Sequence, residues 1–145
     1  MTKKGDPRKV LEALGRDRKV SVGIHEAEGA AEHKGAGASV VEVGAFHEFG
    51  FGVPRRSFIA DWFDINEREA KQTLFQICKP AVTRPEYLDQ GLARFAAWAV
   101  GQVQQRIAAG IEPALAESTI RQKHGKTTPL IDTGQLRASI RGRVA

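Results

Sequence analysis

Four histidines, one cysteine and a few acid pairs are the side chains through which this 145-residue chain could do chemistry. A helical zinc site of the HExxH kind needs two histidines one turn apart with a glutamate between them. His47-Glu48 begins that order, but no second histidine follows, and none of His25, His33, His47 and His124 lies four residues from another. Each histidine therefore reads as a packing or solvated side chain. The Gly-rich run 29–37 contains His33-Lys34-Gly35 without the GxxxxGK[ST] order that cradles phosphates, and no GxGxxG leads into a helix. Ser57, His47 and Asp61 can be drawn as nucleophile, base and orienting acid, yet no GxSxG elbow is present. Cys78 falls in an apolar stripe and reads as a small buried hydrophobe. Asp61/Asp64 and Glu67/Glu69 remain for acid–base work, but they lie where a solvated helix face is expected. The sequence thus points to no catalytic residue, no cofactor and no metal.

The aromatic residues say more. Phe46, Phe49, Phe51, Phe58, Trp62 and Phe63 place six of the ten aromatics within eighteen residues. Most of such a cluster belongs in a core. Phe49 and Phe51, however, flank Gly50, and Gly52 and Pro54 follow in a turn that is hard to bury. Beside Arg55-Arg56 this makes an interface anchor, because aromatics and arginine dominate binding hot spots. A platform for single-stranded nucleic acid would use the same residue types. The acidic neighbours Glu42, Glu48, Asp61 and Asp64 count against that use.

The net charge of +5 is unevenly spread. Residues 1–19 carry +4, residues 118–145 carry +5, and residues 20–117 carry −4. Basic ends on an acidic body suit docking on an acidic neighbour, or lying near packaged DNA, better than they suit a DNA-binding face. A single cysteine excludes an internal disulfide framework and a cysteine-rich zinc site. The charged start, MTKKGDPRKV, lacks the apolar region of a signal peptide, and no window reaches the roughly 18 apolar residues of a membrane span. The expectation is one α+β domain over 1–145, made in a reducing compartment.

The elements that must position these residues follow from periodicity. Asp6-Pro7 starts a short helix that Gly15 stops. Val20, Val22 and Ile24 alternate as a strand. Residues 26–39, rich in Gly, Ala and Glu, read as a mobile loop leading to a second strand over 39–47, the two strands pairing as a hairpin. A long helix runs from near Ser57 to Pro80 on the stripe Ile59, Phe63, Ala70, Leu74, Ile77 and Cys78. Thr83-Arg84-Pro85-Glu86 fits a capping box for a second long helix on Leu88, Leu92, Phe95, Ala96, Ala99, Val103 and Ile107, ended by Gly110. A shorter helix over 113–123, an extended Thr128–Ile131 and a last short helix capped by Asp132 follow. Ser139 to Val144 reads as a final strand or, with the basic residues from about 126 onward, an arm. The expected fold is a small antiparallel sheet packed against two long helices, with short terminal helices.

Two segments together carry a resemblance. The first is Val43-Gly44-Ala45-Phe46-His47-Glu48-Phe49-Gly50, continued by Val53-Pro54-Arg55-Arg56-Ser57-Phe58-Ile59. The second is Pro129-Leu130-Ile131-Asp132-Thr133-Gly134-Gln135-Leu136-Arg137-Ala138-Ser139-Ile140. In type, order and spacing this resembles the neck and tail-completion proteins of tailed bacteriophages, the minor tail protein Z-like and virion-morphogenesis group, over about residues 40–140. Ser57 stands where such proteins often carry proline. The resemblance implies a non-enzymatic virion protein, made in the bacterial cytoplasm, that forms a homo-oligomeric ring, hexameric by analogy. That ring would complete the tail and join it to the head, touching neck, connector and tail-tube proteins, with packaged DNA nearby and no membrane. A tail terminator capping the last tube ring is the neighbouring reading. Phe49, Phe51, Arg55, Arg56, Phe58, Asp132, Thr133 and Gly134, with the loop 26–39, are the expected subunit contacts.

Overall fold

A computed structural model of the chain describes residues 17–30, 32–33, 37–113 and 134–145, together with Asp6, Arg8, Glu12 and Gly15. The expected helix over 113–123, the Thr128–Ile131 segment, Asp132 and Thr133 lie outside the described residues. So does most of the expected helix over 6–15, of which the Arg8 N–H donating to the Asp6 carboxylate at 3.0 Å is described.

In chain order the elements are β1 (Val20–Ile24), α1 (Glu26–Gly29), β2 (Glu32–His33), β3 (Ala38–Ser39), α2 (Val40–Phe49), α3 (Ala60–Ile65), α4 (Glu67–Cys78), two 3-10 turns at Lys79–Val82 and Pro85–Tyr87, α5 (Leu88–Ala109), α6 (Gln135–Ala138) and β4 (Ile140–Val144). The fold is α+β, a small antiparallel sheet covered by helices.

The partner of β1 is the C-terminal strand, not residues 39–47. β1 and β4 pair antiparallel from Val20↔Val144 to Ile24↔Ile140, and Lys19 and Ala145 add two backbone bonds of 2.8 Å. Residues opposite each other share a face. One face carries Val20, Val22, Ile24, Ile140 and Val144, and α5 packs on it. Gly142 makes that approach close: a Cβ there would stand 2.8 Å from the Ala96 Cβ and 3.1 Å from its carbonyl oxygen. The last residues, 140–144, are therefore a paired strand with one face against α5, and not an arm.

Residues 39–47 form most of α2. Val40 and Val43 are β-formers, but the ends of the segment decide. Ser39 caps the helix, its Oγ accepting from the Glu42 N–H while the Glu42 carboxylate accepts from the Ser39 N–H at 2.8 Å. The backbone bond from Ser39 holds the Glu42 carboxyl below the usual range. The buried positions are Val40, Gly44 and Glu48, spaced by four, a helical face that hydropathy does not reveal because only one of the three is apolar. Gly44 lets α2 close on its neighbours: a Cβ would lie 2.7 Å from Ile24 Cδ1 and 3.4 Å from Leu136 Cδ1. The expected loop 26–39 likewise has structure, with the one-turn α1 and the β2–β3 pair.

The first long helix is interrupted at Asn66, whose φ and ψ of −108° and 19° leave the helical region. Its side-chain amide donates to the Trp62 carbonyl at 2.8 Å, the local competition with helix bonding that asparagine offers. The second begins at Leu88, later than the capping-box reading places it, because the Thr83 hydroxyl turns back to the Pro80 carbonyl and Pro85–Tyr87 forms a 3-10 turn. Downstream the stripe is as expected: Leu92, Phe95, Ala96, Ala99, Val103 and Ile107 are all buried, and Gly110 ends the helix. The core gathers Val40, Phe58, Trp62, Ala70, Phe95, Val103, Ile107, Leu136 and Ile140.

Candidate functional site: a carboxylate-pinned aromatic turn

The chain between α2 and α3 carries the features that a core alone does not explain. Helix α2 ends at Gly50, whose φ of 77° is left-handed, and the N–H groups of Gly50 and Phe51 both donate to the Phe46 carbonyl. Only glycine suits the position, since a Cβ would meet the Arg55 Cβ at 3.0 Å and Arg55 backbone at 3.3 Å. The reversal throws Phe49 and Phe51 outward, 63% and 62% exposed, with ring centroids 5.7 Å apart. Val41 and Phe46 extend the exposed apolar surface along α2.

Glu48 fixes this turn from beneath. Its buried carboxylate accepts four hydrogen bonds: from the Ser57 hydroxyl at 2.8 Å and from the N–H groups of Phe58, Ile59 and Ala60 at 2.9, 3.2 and 2.9 Å. Ile59 and Ala60 stand at the start of α3, where donors are left unpaired and negative charge is favoured, and Phe58 lies just before them. Ser57 completes the cap by accepting from the Asp61 N–H at 3.0 Å. A residue at the C-terminal end of one helix thus caps the next, and the intervening residues are held at both ends.

Further ties converge on the same segment. The Arg56 N–H donates to the His47 carbonyl at 2.7 Å, and the Arg106 side chain, on α5, donates to the Ser57 carbonyl at 3.1 Å. Arg56 is buried and its guanidinium donates to the Pro113 carbonyl at 2.7 Å. Burial lowers its pKa, an effect that nearby Glu112 opposes. Arg55 stays on the surface in a two-bond pair with Asp61, at 2.6 and 3.2 Å. The hydrogen bond between them raises the Arg55 pKa and holds the Asp61 carboxyl below its ordinary value.

The expected contact residues thus separate. Phe49, Phe51 and Arg55 lie together at the surface. Phe58 is 1% exposed in the core, and Arg56 fastens the chain's own interior, so neither is presented outward. Gly134 stands apart, at a φ of 72° immediately before α6, which has no side-chain cap there. Glu48 organises the whole turn, a role that neither its place after His47 nor its acidic character in the sequence reveals. The signal that could have found it is the EFG-x-x-x-PRRS order, a carboxylate shortly before a turn that must re-enter a helix.

Chemically, the turn presents an apolar knuckle and an ion pair. Asp61 is engaged by Arg55 in that ion pair. Among the described residues no three His, Cys, Asp or Glu side chains are grouped to hold a metal ion, and no helix is long and apolar enough to cross a membrane. No family model, curated protein or solved structure matches the chain.

Proposed function

We propose that the chain is a non-enzymatic structural protein of a tailed-phage virion, assembling as a homo-oligomeric ring at the head–tail junction. There it completes the tail and joins it to the head. One observation carries the reading: two neighbouring, solvent-exposed phenylalanines, their rings tilted by 36°, sit on a turn that a buried carboxylate and four donors hold rigid. Exposed aromatics are tolerated singly on a monomer, whereas a preorganised pair marks a docking element, because the ordering cost of binding is already met by the fold. Two further features agree with it. Among the described residues the β1–β4 sheet has two strands, so each is an edge strand. The PRRSF segment that carries the family resemblance is also the segment Glu48 pins.

A hexameric ring, and contacts with connector and tail-tube proteins, belong to this proposal through the resemblance alone. A tail terminator is the same proposal with a different axial position. The test is to locate the chain along the axis of intact particles by cryo-electron microscopy, beside sedimentation of the purified protein. The expected result is a ring between portal and tail tube, and concentration-dependent association. A monomer at every concentration, absent from particles, overturns the reading. DNA affinity that falls steeply with salt, with a slope reporting several phosphates, transfers the function to a nucleic-acid module that uses the basic ends.

A further inference from the structure

We infer that the Phe49–Phe51 knuckle of one copy seats in a groove at the tip of the α4–α5 hairpin of a second copy, so that the chain associates head to tail through two different surfaces. This rests on the ring reading above and supplies the missing half of its contact.

The receiving surface is apolar and shaped. Where α4 gives way to the 3-10 turns, Phe75 is 62% exposed, Val82 is 58% exposed and Tyr87 is also open to solvent. Two adjoining depressions meet at Ile77. One is a trough along α4 past Phe75 and Gln72. The other, about 240 Å³, lies between Pro80, Tyr87 and Arg94. The second is smaller than the ~300–1,000 Å³ of a usual small-molecule pocket, and on the scale of a side chain.

Charge selects the occupant. Beside the knuckle Arg55 is paired to Asp61, and Asp64 lies near enough to act on Arg55 as well, so the surface there is acidic by one charge. The tip is rimmed by Lys79, Arg84 and Arg94 against Glu86, with Lys71 paired to Glu67 and Arg84 lying over the Tyr87 ring at 5.7 Å. The uncompensated Asp64 beside the exposed aromatics therefore suits the basic rim around the apolar groove. Pairing knuckle with knuckle would instead bring two such acidic charges together.

Area agrees as well. Val41, Phe46, Phe49 and Phe51 expose roughly 300–500 Å² of apolar side chain between them. A standard interface takes about 800 Å² from each partner and is a little over half apolar, so this knuckle supplies most of the apolar part. The two surfaces lie on different elements. Helix α2 packs chiefly on α1, the β2–β3 pair, β1 and α6, whereas the tip is built from α4, the 3-10 turns and the start of α5. One copy can use both at once, and such a contact repeats until it closes.

Complementary variants test this. All four target side chains are exposed, so F49A/F51A and F75A/Y87A should melt as the wild type does, checked by circular dichroism. If either double variant melts early, F49A and Y87A replace them. Under conditions where the wild type assembles, each variant alone should sediment as a monomer, its self-association weakened at least tenfold. Mixed, they should form a one-to-one complex and nothing larger, because F75A/Y87A keeps an intact knuckle and F49A/F51A an intact groove. Continued assembly of either variant alone, or a mixture that stays monomeric, overturns this pairing while wild-type assembly leaves the ring reading standing. A wild type that never associates overturns both.

Discussion

Two turns of this molecule display aromatic side chains to solvent, and they are built in opposite ways. The turn from Gly50 to Ile59 is fastened by a buried carboxylate, a buried arginine and a helix-α5 arginine. The turn from Lys79 to Tyr87 is held by short 3-10 bonds, two prolines and the Thr83 hydroxyl, with little beneath it but Ala81. The first is expensive in buried polar groups, the second is cheap. Such an investment makes physical sense where a side chain must be presented at a fixed angle, whereas a receiving groove can adjust by rotamer changes. The contrast identifies the knuckle as the rigid partner.

The sharpest way to break the comparison is to remove the carboxylate. Glu48→Ala leaves four donors unmet beneath the turn, and urea denaturation should show a loss of about 3–4 kcal/mol. Glu48→Gln, which keeps one accepting oxygen, should lose less. Thr83→Ala in the other turn should cost less than about 0.5 kcal/mol. Similar losses for Glu48→Ala and Thr83→Ala would erase the distinction.

A smaller effect is expected from the backbone. Gly50→Ala forces a side chain into a left-handed position and against Arg55. The same assay should show about 1–2 kcal/mol of destabilisation. A neutral outcome would mean that the turn relaxes freely, contrary to a pinned knuckle.

The smallest effect concerns the ion pair. Asp61 is held below the usual aspartate value chiefly by its hydrogen bond to Arg55, with Ser57 and Arg106 adding to it. A depressed folded-state pKa means that the stabilisation is fully present above the unfolded value of about 3.9 and is lost as pH falls through the lower folded value. Arg55→Ala should raise the Asp61 pKa in a carboxyl-carbon NMR titration, while leaving stability at neutral pH little changed, as for other exposed pairs. An unmoved Asp61 titration would show that the pair does not form in solution.

Much of the frame was legible in the residues. The stripe Leu92 to Ile107 is a strongly periodic apolar pattern over several turns, and such a pattern admits little besides a core helix. Val20 to Ile24 alternates and is a strand. Phe49 and Phe51, on either side of a glycine, were recognisable as the exposed pair. The misreadings fall where burial and hydropathy part company. Helix α2 buries Val40, Gly44 and Glu48, so its period is invisible to any scale that counts apolar residues, while the Ser39–Glu42 capping box that marks its start was readable but passed over. Arg56 and Phe58 looked like surface partners by residue type, yet Arg56, Ser57 and Phe58 are all buried, Arg56 by its bond to the Pro113 carbonyl and Phe58 in the core.

By itself, then, the sequence settled some of the local choices: the long helix through Leu92 and Ile107, which strand alternates, where glycine must turn the chain, and that Phe49 and Phe51 escape burial. These depend on contacts within a few residues. The pairing of β1 with β4, more than a hundred residues along the chain, and the capture of three backbone N–H groups by Glu48 were decided only in three dimensions. Unmet hydrogen-bonding groups do not choose partners by sequence distance. They take whichever complementary group the packed core brings within reach, and that is known only once the core has formed.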